Sequence, residues 1–135
     1  MHLSNSIDEL QSLSAKLEQF GEKQHLAPEM MFNLNLVLEE ILTNIIFYAY
    51  DDSNAHAIEL NIALENENIE IEIIDDGKPF NPLERPEPDV NQSLEARQIG
   101  GLGIFLVKKI MDKADYLRRA NKNILTLKKN LNTKS

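Results

Sequence analysis

The chain has 135 residues, no cysteine and a formal net charge of −8 at pH 7. This length suits one domain with its own core, and the lack of cysteine excludes disulfides, zinc–cysteine sites and thiol catalysis. The negative charge argues against a surface that binds the phosphate backbone of nucleic acids. The sequence shows no apolar run long enough for a bilayer and no signal peptide. We therefore expect a cytoplasmic protein that binds neither membrane nor nucleic acid.

Two amphipathic helices are predicted in the first part of the chain. The first covers about residues 8–23, with Ser6 as candidate N-cap and an apolar stripe of Leu10, Leu13, Leu17 and Phe20. The second begins at Pro28, where a missing N–H costs nothing, and runs to about residue 50. Its buried stripe is predicted to be Leu34, Leu38, Ile41, Ile45 and Tyr48.

One edge of this second helix carries two polar residues a turn apart, Glu40 and Asn44, while Glu39 falls on the other edge. A carboxylate there can hold or take a proton, and a carboxamide oxygen is a hard, neutral ligand suited to Mg²⁺. A solvated helix edge is the simpler explanation for an isolated pair of this kind. The pair gains weight only from the motifs that follow.

Two strands with period-two alternation come next, at residues 58–64 and 69–73, and the short polar link between them predicts an antiparallel hairpin. A second hairpin is predicted from residues 116–119 and 124–127, with its turn at 121–123. Residues 1–4 could form an edge strand, and residues from about 130 to 135 should fray. The order of elements predicts an α+β fold: two layers, with helices on one face of a mixed, mainly antiparallel sheet.

The first hairpin ends in Asp75-Asp76-Gly77. A carboxylate at a strand end can accept a hydrogen bond from an exocyclic amine, and a glycine lets a flat ring approach the backbone. Taken alone, Asp-Gly is more often an ordinary turn. Residues from about 78 to 99 follow without usable periodicity and hold four of the five prolines, which is typical of a functional lid or of disorder.

A glycine cluster, Gly100-Gly101-Leu102-Gly103, follows this stretch and opens a predicted helix whose inward residues are Ile104, Val107, Ile110, Met111 and Ala114. The free N–H groups and the positive dipole end of a helix attract anions, and glycines let phosphate oxygens reach the backbone. The cluster is neither a Walker loop nor a dinucleotide-binding motif. A flexible hinge before a helix is the competing interpretation.

The succession of these motifs resembles the ATP site of the GHKL (Bergerat-fold) superfamily, and most of all the small anti-sigma-factor serine/threonine kinases of bacteria. The residues that carry the likeness are 39–44 with 48–50, 75–82 and 100–112. It spans about residues 7–130, and the chain would be a single ATP-binding, kinase-like domain over residues 1–135. Two positions depart from the family pattern: Pro79 stands where many relatives have a glycine, and Tyr48 where they often have histidine.

The resemblance implies ATP and Mg²⁺ as cofactors and gives each matching residue a role. Asn44 would ligate Mg²⁺, and Glu40 would be the general base. Asp75 would recognise the adenine amine with support from Thr126, and Gly77 would lie under the adenine ring. Backbone groups of Gly100, Gly101, Leu102 and Gly103 would hold the phosphates. Arg97 would contact the γ-phosphate or a phosphoserine, although an exposed lid charge is an equal alternative.

Three functions are open at this point. The first is a kinase that binds a sigma factor and phosphorylates a serine or threonine of an anti-anti-sigma (STAS) partner; relatives of this kind often form homodimers. The second is a module that uses ATP only as a conformational switch, without transfer. The third, the catalytic half of a histidine kinase, is disfavoured because His2, His25 and His56 do not lie in helical hairpins, and we expect all three to be exposed.

Overall fold

A computed structural model describes residues 2–4, 8–50, 56–84 and 101–131. This part of the chain forms five strands, three α-helices and one short 3₁₀ turn at Pro82–Glu84. The elements are β1 His2–Ser4, α1 Glu9–Lys23, α2 Pro28–Tyr48, β2 Ala57–Glu65, β3 Asn68–Asp75, α3 Gly101–Ile110, β4 Lys113–Arg119 and β5 Lys122–Asn130.

The strands form one sheet in the order β1-β2-β3-β5-β4, and all four pairings are antiparallel. The described sheet is therefore antiparallel throughout, where the sequence predicted a mixed and mainly antiparallel one. Two-residue turns close both hairpins, with positive φ at Asn66 and Glu67 in the first and at Ala120 and Asn121 in the second. This conformation suits the right-handed twist of a hairpin.

One face of the sheet packs on the helices, which confirms the predicted α+β arrangement. Alternation places Ile69, Ile71 and Ile73 of β3 on that face beside Leu125 and Leu127 of β5, and all five are buried. Against them lies the predicted stripe of α2, whose leucines and isoleucines are completely buried and whose Tyr48 is half-buried. The hydrophobic effect thus fixes both the rotation of α2 and the facing of each strand.

Helix α2 is long and apolar enough, by length and composition alone, to cross a membrane. The expectation that no segment has this character is therefore wrong for α2. The reason is that α2 buries a broad apolar face from Leu34 to Ile45 and carries further apolar residues outside it, such as Phe32 and Phe47. A core helix of this kind passes the same test as a spanning helix.

Several boundaries differ from the predictions. Helix α2 ends two residues earlier than expected, and α3 ends at Ile110, so that Ala114 lies in β4 and not in the helix. The second hairpin turns at Ala120 and Asn121, so Lys122 and Asn123 belong to β5. That strand also continues to Asn130, into the segment expected to fray. Ser6, the candidate N-cap, lies outside the described residues.

Candidate active site

Glu40 and Asn44 occupy consecutive turns of α2, as their spacing predicts, and they contact each other. The Asn44 side-chain amide donates to the Glu40 backbone carbonyl at 2.8 Å and to Glu40 Oε1 at 2.9 Å. Asn44 is fully buried although it is polar, and Glu40 is half-buried. Because the Asn44 nitrogen is turned to Glu40, its oxygen points the other way.

That oxygen, Asn44 Oδ1, is buried and accepts no hydrogen bond from any residue in the part of the chain that the structure describes. An unpaired buried acceptor costs free energy, about 1–3 kcal/mol, so native proteins rarely keep one unless it has a ligand. A neutral oxygen is a suitable ligand for Mg²⁺, which commonly takes one or two protein ligands and completes its shell with water and phosphate. The described residues contain no cluster of three acidic or histidine side chains for a metal. Asn44 therefore fits a magnesium ion shared with a phosphate ligand.

Asp75 ends β3 on the core face of the sheet, where it is only 3% exposed. Two N–H groups donate to its Oδ1: the backbone amide of Gly77 at 2.9 Å and the Asn123 side chain at 2.8 Å. No described residue donates to its Oδ2, so this oxygen is available to a ligand. Burial raises the pKa of the Asp75 carboxyl, and the two hydrogen bonds and the Arg118 charge oppose that rise.

Gly77 joins the Asp75 turn to the end of α2. A Cβ atom at this position would lie 2.4 Å from the Ala49 carbonyl oxygen and 2.8 Å from Ala49 Cβ, both far too close. The next residue, Lys78, donates its N–H to the same carbonyl at 2.8 Å. The glycine is thus needed for packing between the strand end and the helix, in addition to the predicted contact with a flat ring.

Asn123 is a site residue that the sequence analysis missed. The register of β3 and β5 sets it directly opposite Asp75, and it is 2% exposed. Thr126, which was predicted to support Asp75, pairs with Glu72 and lies on the other face of the sheet. That prediction is wrong, because positions 123, 125 and 127 share the core face whereas 126 does not. The alternation of Leu125 and Leu127 was a signal that could have identified Asn123.

The glycine cluster is described in part. Gly101 begins α3, as predicted, and Gly103 lies in its first turn, with Leu102 between them. The first backbone N–H groups of a helix have no partner within the helix, so this end of α3 can receive an anion. Arg97, Gly100 and most of the predicted lid, residues 85–99, lie outside the described residues. Residues 78–84, the first part of that lid, pack onto the core through Phe80, Pro82 and Leu83.

A small aromatic cluster covers the outside of the Asp75 turn. The Tyr50 and His56 rings stack with centroids 4.4 Å apart, the Tyr50 hydroxyl donates to Asp76 Oδ1 at 3.2 Å, and His56 Nδ1 lies 3.4 Å from the same oxygen. Burial, together with the Asp75 and Asp76 charges, raises the pKa of Tyr50. His56 is half-buried, so the prediction that all three histidines are exposed is wrong for this one.

Comparison with known proteins agrees with this geometry. The sequence pattern of the histidine kinase-like ATPase domain matches residues 3–129, nearly the whole chain. The chain belongs to this family. The serine/threonine-protein kinase BtrW of Bordetella bronchiseptica is 30% identical over 111 residues, which are 82% of this chain and 78% of that protein. The serine-protein kinase RsbW of Oceanobacillus iheyensis is 29% identical over 62% of this chain and 56% of its own length.

Solved structures with the histidine kinase-like fold are also similar. A blue-light-activated histidine kinase of Erythrobacter litoralis EL346 superposes with a TM-score of 0.55 at 18% identity, over 76% of this chain and 31% of that chain. The histidine kinase domain of the same protein gives 0.56 at 15% identity, over 93% and 60%. These identities support the fold alone. The chain spans about four-fifths of BtrW, about half of RsbW and a third to three-fifths of the two histidine kinase chains. The predicted superfamily and fold are confirmed, and the relatives' names support the predicted class of enzyme, a protein kinase.

Proposed function

We propose that the protein is an ATP- and Mg²⁺-dependent serine/threonine-protein kinase that acts as an anti-sigma factor. It binds a sigma factor and phosphorylates a serine or threonine of a small anti-anti-sigma STAS domain, in the cytoplasm and without contact to nucleic acid or membrane. The observation that carries the proposal is the fully buried Asn44 oxygen, which has no partner among the described residues and belongs to an amide whose nitrogen donates to the Glu40 carboxylate. The names of the BtrW and RsbW relatives, both protein kinases, support the type of reaction.

The proposed work is divided among the C-terminal half of α2, the end of β3 and the first turn of α3. Bound Mg²⁺ and ATP supply the phosphoryl group and the neutralisation of its charge, which is most of what phosphoryl transfer requires. Asn44 Oδ1 is the protein ligand for the metal, and the bond from its amide to Glu40 keeps that oxygen pointed away from Glu40. The Glu40 carboxylate accepts the proton of the attacking hydroxyl.

The adenine ring is assigned to the end of β3. Asp75 Oδ2 accepts a hydrogen bond from the adenine amine, and the ring lies over Gly77. The first turn of α3, from Gly101 to Gly103, holds phosphate oxygens through backbone N–H groups, together with Gly100. Because backbone dipoles are independent of side-chain charge, this turn can bind an anion even though the chain carries a net charge of −8. Arg97 is assigned to the γ-phosphate or to a phosphoserine.

The test combines the purified protein with radiolabelled ATP, Mg²⁺ and candidate STAS domains. Glu40→Gln keeps an oxygen for the Asn44 amide, so nucleotide affinity should survive while transfer falls about a hundredfold or more, the usual worth of a general base. Glu39→Gln is the matched control, because this exposed glutamate lies on the other edge of the helix, and it should transfer label like the parent. Asn44→Ala should abolish the Mg²⁺-dependent part of nucleotide affinity.

Three results would contradict parts of the proposal. Tight Mg-ATP binding by Asn44→Ala would remove the metal assignment. Nucleotide binding by the parent without transfer to any partner would leave an ATP-dependent switch module and no kinase. If calorimetry finds no adenine nucleotide bound to the parent with Mg²⁺ present, the kinase and the switch both fail.

A further inference from the structure

Asn123 is the centre of a hydrogen-bonded group that surrounds the Asp75 carboxylate. Its oxygen accepts from the Phe80 backbone N–H at 3.2 Å, from Arg118 Nη1 at 3.2 Å and from the Tyr116 hydroxyl at short range. Its nitrogen donates to Asp75 Oδ1 at 2.8 Å and to the Lys78 carbonyl at 2.9 Å. Every hydrogen-bonding position of the amide is therefore used.

The chemistry of the neighbours fixes which way this amide faces. A backbone N–H and a guanidinium can only donate, so the atom on which Phe80 and Arg118 converge must be the oxygen. The Lys78 carbonyl can only accept, so the atom facing it must be the nitrogen. The same nitrogen faces Asp75 Oδ1, which consequently receives an N–H and cannot itself carry a proton there. Arg118 also donates to the Gly77 carbonyl at 2.7 Å, so the turn after Asp75 is joined to the hydrogen-bonded group around Asn123.

This arrangement controls the one oxygen of Asp75 that the described residues leave open. The two N–H groups of Asn123 and Gly77 that hold Oδ1 oppose the rise in pKa that burial causes, and Oδ2 of the ionised carboxyl is an acceptor. An acceptor pairs with the 6-amino group of adenine, whereas the 6-oxo group of hypoxanthine or guanine would meet it lone pair to lone pair.

We infer that Asn123 is a positioning residue that sets base selectivity. Its fixed amide keeps Asp75 a hydrogen-bond acceptor, which favours an aminopurine and disfavours an oxopurine. The inference rests on the proposed function, since it requires a purine nucleotide at Asp75. It goes further, because it assigns the choice of base to a residue on a different strand, and to Tyr116 and Arg118 behind it.

The experiment measures the dissociation constants of ADP and IDP with Mg²⁺ by calorimetry, because the diphosphates avoid turnover and differ only in the 6-substituent and the N1 proton that accompanies the 6-oxo group. The parent should prefer ADP by about tenfold or more, the usual effect of one hydrogen bond to a charged group. Asn123→Asp replaces the donated N–H by a carboxylate oxygen that repels Asp75 Oδ1, so the Asp75 carboxyl takes up a proton more readily, and with that proton on Oδ2 it is a donor toward the base. The preference for ADP should fall at least tenfold.

Asn121→Asp is the matched control. It adds the same charge two residues away, at an exposed turn position with φ of 62°, which Asp tolerates as Asn does. It should keep the parent's ADP/IDP ratio, and a purely electrostatic or structural effect of the added charge would show in both variants. The groups facing Asp75 whose charges enter the result are Asp76, Tyr50 and Arg118.

An unchanged ADP/IDP ratio in folded Asn123→Asp overturns the inference while the proposed function stands. If that variant does not fold, Tyr116→Phe takes its place: the Asn123 oxygen loses one of its three donors and the amide is held less firmly, so the ratio should fall about threefold, less than one ordinary hydrogen bond. An unchanged ratio in Tyr116→Phe overturns the inference equally. A parent that binds neither nucleotide defeats the proposed function instead.

Discussion

The core face of β5 carries a buried polar residue near each end, and the two ends differ in one respect. Asn123 and Lys129 are each 2% exposed. Around Asn123, the hydrogen bonds leave Asp75 Oδ2 without a donor from the described residues. Around Lys129, Asp112 uses both oxygens: Oδ1 lies 3.6 Å from Lys129 Nζ, and Oδ2 accepts from the Asn130 N–H at 2.6 Å.

The difference teaches how to tell a binding group from a structural one on the same strand. Burial of the β5 residue alone does not distinguish them, because Asn123 and Lys129 are equally covered. What distinguishes them is whether described residues already face both oxygens of the neighbouring carboxylate. At the Lys129 end both Asp112 oxygens face groups of β5, and these contacts hold the segment after α3 to the sheet. At the Asn123 end an acceptor remains for a ligand.

The largest expected effect on stability is at the Lys129 end of β5. Lys129→Ala removes a buried aliphatic stem and leaves Asp112 without its cation, which should lower the free energy of unfolding by about 2–3 kcal/mol. Lys129→Met keeps the apolar volume and should stay within about 1 kcal/mol of the parent. Urea denaturation measures both. Nucleotide affinity per folded molecule should not change, and a parallel loss of affinity would show that the two ends are not independent.

At the Asn123 end of β5, Asp75→Asn should separate the effect on nucleotide binding from the effect on stability. The new amide places an N–H where Oδ2 was, so ADP affinity should fall about tenfold or more and the preference should turn toward IDP. Calorimetry with the two diphosphates measures this change. Retained ADP preference in the variant would contradict the role of the carboxylate.

The stability of the same variant should change with pH in a defined direction. Because burial raises the pKa of Asp75 above 3.8 in the folded state, folding favours the protonated form, and ionisation costs stability as the pH rises through that pKa. The variant has no such cost. Its melting temperature should therefore gain on the parent's as the pH is raised from about 4 to about 7, and a shrinking difference would give the opposite sign for the shift.

Gly77→Ala should cost about 1–3 kcal/mol, because the added methyl meets the Ala49 backbone, which cannot move without displacing α2. Gly21→Ala in α1 is the comparison, since its methyl meets only the flexible Met31 thioether and gains helix propensity. Thermal unfolding should rank the two, with Gly77→Ala clearly the less stable. Equal losses would mean that the Ala49 contact is not rigid.

The smallest effect is expected from Thr126→Val on the outer face of the sheet. ADP affinity should stay within about twofold of the parent, because surface substitutions away from a site are usually worth less than 0.5 kcal/mol. Calorimetry on this variant and on Asp75→Asn compares the two faces directly. A loss as large as that of Asp75→Asn would show that the strand register is wrong.

The residues that repeat were predictable, and the residues whose position depends on register were not. Helical spacing in α2 gave both the buried stripe and the contact between Glu40 and Asn44, because each depends only on local geometry. The pairing of Asp75 with Asn123 depends on where the second hairpin turns. That turn is Ala120-Asn121, which lacks the glycine that usually marks such a turn. The turn was therefore predicted at residues 121–123, which put Asn123 in the loop, and the family resemblance assigned the supporting role to Thr126.

The contact between Ala49 and the Gly77-Lys78 turn has a mechanical consequence. Helix α2 carries Asn44 in its last two turns, and the residue that follows its end is hydrogen-bonded to the turn that carries the base-reading carboxylate. If Asn44 holds the metal and Asp75 the base, as proposed, both contacts depend on the position of this one helix end. A partner that shifts the end of this helix would loosen the grip on both ends of a nucleotide in a single movement, so exchange would need no separate trigger at each end.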